Sequence, residues 1–295
     1  AALVENLTTS NNTALGYYAL KVNVAANNTA VGASALTANT TGTRNTAVGT
    51  NALDAITTGV DSTALGYAAL SADTGGYNTG LGSYALNVNS TGVSNVAVGY
   101  NSMAATTTGG TNTAVGTGTM TANTTGGSNT AVGKEALTAN TTASNNTALG
   151  YFALKANTTG ASNVAVGKDA LIANTTGTQN VAIGMDALDA ATTVNNNVAI
   201  GFEALTASTI GDNVAVGTSA MAANTTGTYN VAVGKSAMTA DTTGGNNTAI
   251  GAFALDANTT ASNNTAVGKD SLGANTTGTY NTAIGVGALD ANTTA

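Results

Sequence analysis

The side chains that could do chemistry fall into a few recurring sets. Aromatic residues stand one or two places after a glycine: Tyr17, Tyr18, Tyr67, Tyr84, Tyr100, Tyr151, Phe152, Phe202 and Phe253. Flat exposed rings on a rigid support can stack on sugars or grip a surface, and they can equally cover apolar columns or fill a chain–chain seam. The charged pairs Lys134-Glu135, Lys168-Asp169 and Lys269-Asp270 occupy the same places. Isolated carboxylates at Asp54, Asp189, Asp256 and Asp290 have no neighbour with which to share a proton or a metal, and read as solvated surface charge. A calcium-binding solenoid would carry a dense Gly-Gly-x-Gly-x-Asp pattern, which this chain does not.

Asparagine offers modification chemistry. Sixteen Asn-x-Ser/Thr sequons occur, ten of them at Asn39, Asn89, Asn123, Asn140, Asn157, Asn174, Asn224, Asn258, Asn275 and Asn292. In a glycosylating pathway these ten are candidate N-glycan acceptors, although Asn, Thr and Gly are also what a tight turn asks for. Paired threonines such as Thr40-Thr41 and Thr175-Thr176 raise ice binding, which needs a flat array of outward hydroxyls. Consecutive strand residues point opposite ways, so adjacent threonines make a poor two-column array. The chain has no His and no Cys, and its many Ser and Thr hydroxyls have no base beside them. No catalytic, metal or cofactor site is therefore expected, and the chain does not read as an enzyme. A net charge of −7 with only 7% charged residues gives no basic patch for nucleic acid. No apolar run reaches membrane-spanning length.

What positions these residues is a repeat. The glycine of an Ala-aliphatic-Gly step recurs from Gly16 to Gly285 seventeen times, at intervals of 17 residues, with three intervals of 16. Counting from four residues before that glycine, position one is Asn in all units but that of Ser62, position two is Thr or Val, and position three is Ala except at Gly80. Position four is Val, Ile or Leu, position five is Gly, position eight is usually Ala, and position nine is Leu or Met. Position eleven is Ala or Val, and the unit runs out through Asn-Thr-Thr-Gly, as at Asn39 to Gly42. The density of Gly, Asn and β-branched residues disfavours helix. A fixed period of this length predicts a solenoid whose units bury apolar surface by stacking.

The expectation is an all-β, parallel β-solenoid (a β-roll) of about 17 coils of 16–17 residues with two short strands per coil, filling 1–295 as one array. Alternation predicts positions two and four as one inward pair and nine and eleven as another, leaving the alanines at three and eight outward as a flat stripe for another copy. At roughly 4.8 Å per coil such an array would be on the order of 80 Å long. The shortened units lose their residue between Asn23 and Asn27, Asp73 and Tyr77, and Ser208 and Asp212, which marks the linker as a surface loop. An opening at Ala2-Leu3 and an end at Asn292-Thr293-Thr294-Ala295, both inside a unit, are expected of an excerpt from a longer array without a separate cap, anchor or chaperone domain.

The segment Asn163-Val164-Ala165-Val166-Gly167, followed by Asp169-Ala170-Leu171, resembles the head-domain repeats of trimeric autotransporter adhesins. The Asn-Thr-Ala-Val-Gly-x-x-Ala-Leu-x-Ala-Asn-Thr-Thr-Gly runs are similar to the repetitive shafts of phage tail-fibre-like proteins. The resemblance implies a left-handed coil, three chains per fibre, and a place outside the cell, on its surface or on a virion. The adhesin unit is usually nearer 14 residues, the extra ones here falling in the Asn-Thr-Thr-Gly loop. The expected function is a structural or adhesive fibre shaft whose partner is itself, as a trimer or filament, with a glycan or cell-surface receptor as a further partner. The alternative is a solenoid that binds glycan or ice.

Overall fold

A computed structural model of the chain describes residues 10–294. The expected start of the array at Ala2-Leu3 lies outside them. Two compact units divide at Asn146 and Thr147. In the first, eight three-residue strands run from β1 (Thr13–Leu15) to β8 (Thr130–Val132). In the second, nine run from β9 (Thr147–Leu149) to β17 (Thr282–Ile284). Within each unit every strand pairs in parallel with the next in sequence, like residue on like. The fold is an all-β parallel β-solenoid, with no helix among the described residues. The shortened coils keep this register, as in Thr13↔Thr29, Thr63↔Thr79 and Val198↔Val214, so the loop absorbs each deletion.

The strand is turned over relative to expectation. Alanine at position three, not the residues at two and four, faces the interior: Ala30, Ala47, Ala165 and Ala182 are completely buried, as is the position-eight alanine of most coils. Positions two and four point outward, and Leu65 at position four is 50% exposed. The reason is the width of the coil. At Gly80, the one glycine at position three, an added Cβ would lie 3.1 Å from Leu70 Cγ of the preceding coil and 3.2 Å from the Ala85 carbonyl oxygen. A methyl fits such an interior, and a Val or Leu at three would not.

The second strand expected around positions nine and eleven is also absent among the described residues. Positions eight and nine are consecutive, yet both are buried, as with Ala52 and Leu53. An extended chain cannot send neighbouring side chains to the same side. The backbone does so by placing the position-nine residue in the left-handed region in all seventeen coils, with φ of 49–54° from Leu20 to Leu289. Position eleven then points away from the core, and Val88 there is exposed. Stacking still supplies rungs: Leu36 N–H donates to the Ala52 carbonyl (3.1 Å) and Ala38 N–H to Asp54 (3.1 Å).

Two buried asparagine columns bracket the loop. The first is position one. Its Oδ1 accepts the backbone N–H of the next position-one residue, as from Asn45 to Asn28 (2.9 Å), and its Nδ2 donates to the carbonyl of position fifteen in its own coil, as Asn28 to Gly42 (2.8 Å). The second is position twelve, the loop Asn. Its Nδ2 donates to that same carbonyl, as Asn39 to Gly42 (3.0 Å), and to the preceding column member, as Asn174 to Asn157 (2.8 Å). These side chains satisfy loop polar groups that a coil with one strand leaves without a ladder partner.

Candidate functional site

The surface that could act is a set of columns fixed by the coil geometry. Position six, just past the glycine corner, points outward: Tyr17, Tyr67, Tyr100, Tyr151 and Phe202 are exposed. Position seven has φ near +58° and lies down on the coil, so Tyr18, Tyr84, Phe152 and Phe253 are half-buried. The structure brings several of these rings together. Tyr67, Tyr84 and Tyr100, from three successive coils, form an edge-on comb with centroids 5.3 and 6.3 Å apart. Tyr17 with Tyr18, and Tyr151 with Phe152, meet at 3.8 Å within one coil. Lys21, Lys155 and Lys235 place their Nζ over the rings of Tyr18 (4.7 Å), Phe152 (3.7 Å) and Phe253 (5.8 Å), the geometry of a cation held on an aromatic face.

The lone carboxylates at position ten are less solvated than expected. Asp54, Asp189 and Asp256 lie partly buried against the coil, and that burial raises their pKa values. For Asp189 the nearby Asp186 adds to the rise. Asp290 is exposed. Among the described residues no group of three or more acidic, His or Cys side chains converges to hold a metal ion.

Nine of the ten loop asparagines read as glycan acceptors are fully buried: Asn39, Asn89, Asn123, Asn140, Asn157, Asn174, Asn224, Asn258 and Asn275. Their Nδ2 atoms donate to the position-fifteen carbonyl, as Asn123 to Gly126 (3.0 Å) and Asn258 to Ala261 (3.1 Å). The folded coil has no room for a sugar on such a nitrogen. Asn292 is half-buried. The paired threonines also split. The first of each pair donates its hydroxyl to the matching carbonyl of the next coil, as Thr40 to Thr57 (3.0 Å) and Thr175 to Thr192 (3.0 Å), so it belongs to the stack rather than to a free hydroxyl array.

Position seventeen is a further outward column that the reading by composition did not single out. It carries Arg44, Asp61, Tyr77, Tyr229 and Tyr280, with φ near +58–60° at each, and Tyr280 is 79% exposed. Arg44 clasps the Asp61 carboxylate of the next coil at 2.6 and 2.8 Å, and this bidentate bond holds Asp61 below the usual carboxylate range. The signal was in the alignment of units. Position seventeen is among the most varied in the repeat, and variation on a repeated scaffold marks an outward site. No family model and no curated protein matches this chain.

Proposed function

We propose that the protein is the shaft of a structural or adhesive fibre, outside the cell or on a virion, and that it associates with copies of itself. The observation that carries this reading is the outward strand face. In the first unit position four reads Leu15, Val31, Val48, Leu65, Leu81, Val98, Val115 and Val132, one aliphatic side chain per rung without exception. Beside it stands a column of threonines and valines at position two. A continuous apolar stripe on a surface is a contact waiting for a partner. The stripe repeats with the coil, so the partner that matches every row is one with the same rise: another copy of this chain.

This face replaces the alanine stripe as the site of self-association, because those alanines fill the coil interior. The resemblance to adhesin heads makes three copies the expected number. Stiffness comes from the ladder, and the diversity at positions six, seven and seventeen gives the shaft its outward character. The Tyr67–Tyr84–Tyr100 comb favours a second, compatible role in holding sugar rings.

Native mass spectrometry of the purified chain tests the proposal. The expected result is a stable homo-oligomer that Leu65→Glu together with Val98→Glu converts to monomer while the β circular dichroism persists. A wild-type chain that stays monomeric at micromolar concentration would refute it.

A further inference from the structure

Column twelve carries an amide in eleven of the seventeen coils, and an uncharged Ile56, Thr106, Ala191 or Ser208 in four others. Where Asn occupies it, Nδ2 supplies the hydrogens for the position-fifteen carbonyl and the preceding coil, as at Asn174 (Gly177 carbonyl 3.1 Å, Asn157 Oδ1 2.8 Å), and its own buried Oδ1, left without a partner there, is neutral. Two coils place an aspartate there instead, Asp73 and Asp241, and both are completely buried. Asp241 Oδ1 accepts from Gly244 N–H (3.1 Å) and Asn258 Nδ2 (2.9 Å). Asp73 Oδ1 accepts from Gly75 N–H (3.1 Å), Asn78 Nδ2 (3.1 Å) and Asn89 Nδ2 (2.7 Å). In each, the second oxygen, Oδ2, is buried with no hydrogen-bond partner. An ionised carboxylate has only acceptors to offer, whereas a carboxylic acid carries one O–H and can donate as the amide does.

We infer that Asp73 and Asp241 are pH-sensing rungs, each standing in for asparagine as a neutral acid and loosening its coil when it ionises. Burial is the main cause, raising Asp241 from 3.8 to about 7 and Asp73 to about 6, and the hydrogen bonds to Oδ1 offset only part of it. The charged and titratable groups of the coils around Asp241 are Lys235, Asp256 and Tyr229, and none of them contributes to its shift. Around Asp73 they are Asp54, Asp61, Tyr67, Tyr77 and Tyr84, and again none contributes. The folded state therefore holds these protons more tightly than the unfolded chain does. The stabilisation is complete below pH 3.8 and is lost as pH rises through about 6 for Asp73 and about 7 for Asp241, beyond which it is flat.

Carboxyl carbon NMR of the full aspartate-labelled chain, with urea unfolding at pH 4 and pH 8, tests this. Two carboxyls should titrate well above the rest, one vanishing in Asp73→Asn and the other in Asp241→Asn. Between the two pH values the unfolding constant of the second unit should rise about five-hundred-fold more in the wild type than in Asp241→Asn. All aspartates titrating together in the ordinary range would overturn the inference, as would an Asp241→Asn variant whose stability follows that of the wild type at both pH values.

Discussion

Replacing Asn180 by Ala puts the position-one column to the test. Asn180 is completely buried, and its side chain makes three bonds. Nδ2 donates to the Val194 carbonyl (2.7 Å) and to Asn163 Oδ1 (3.1 Å), and Oδ1 accepts the backbone N–H of Asn197 (3.1 Å). Alanine leaves the Asn197 N–H and the Val194 carbonyl buried without these partners. Each orphaned group costs about 1–3 kcal/mol, so the coil should lose about 4 kcal/mol in all. Because a solenoid couples mainly nearest neighbours, the loss should concentrate in the coils touching residue 180 rather than spread evenly. Native-state hydrogen exchange reads this directly. The Asn197 and Val198 amides should exchange about a thousand-fold faster in Asn180→Ala, and amides near Gly268 should barely change. The exposed Thr193→Ala serves as control and should move neither set. If the Asn197 amide keeps its protection in Asn180→Ala, the column is decoration and the account of the loop is wrong.

Four further outcomes follow, three from the backbone and core and one from a surface ion pair. At Gly99 φ is +130° and an added Cβ would sit 2.5 Å from the Gly116 carbonyl oxygen, so Gly99→Ala should cost at least about 3 kcal/mol in urea unfolding. An added Cβ at Gly126 would also press on backbone, the Ala143 carbonyl oxygen, yet Gly126→Ala should cost less than Gly99→Ala, because position fifteen has no left-handed φ and the coil already accommodates Ala143, Val194 and Ala261 there. Leu171, fully buried at φ +52°, should tolerate Met with a loss under about 1.5 kcal/mol, whereas the isovolume but β-branched Ile should cost about 2–3 kcal/mol, read from the same unfolding curves. Arg44→Ala should raise the Asp61 pKa towards its ordinary value, followed by carboxyl NMR, while leaving the urea midpoint essentially unmoved, since the pair is exposed.

The period, the parallel stacking and the loop were legible because each rests on repetition alone. Deletions confined to one stretch located the loop, and Gly recurring at one place located a corner that only Gly can turn. The facing of the strand was not legible, because alternation says that positions two and four share a side without saying which side. The usual rule sends the larger apolar side chains inward, and that rule assumes an interior wide enough to take them. Here the interior is closed by Leu at position nine, and the width is set by a left-handed leucine, which no propensity would assign. The same conformation folds away the second strand. The two buried aspartates were visible in the sequence as departures in an asparagine column. Their meaning needed the burial of that column, which composition read as an exposed turn.

Turning the strand over also changes where function can reside. With alanines inside, the coil keeps for itself only small side chains, Leu or Met, and two amide columns. Every branched aliphatic at position four is spent on the outside, at a place where water gains nothing from it. Selection for a soluble, solitary coil would favour Thr or Lys on that column, as edge and surface positions of isolated sheets commonly show. A column held aliphatic through every described coil, next to corners that vary freely, is the pattern expected when the face meets a constant partner and the corners meet changing surroundings. A second copy of this chain would share that period, and this ties the outward stripe to the proposed fibre more closely than any single residue does.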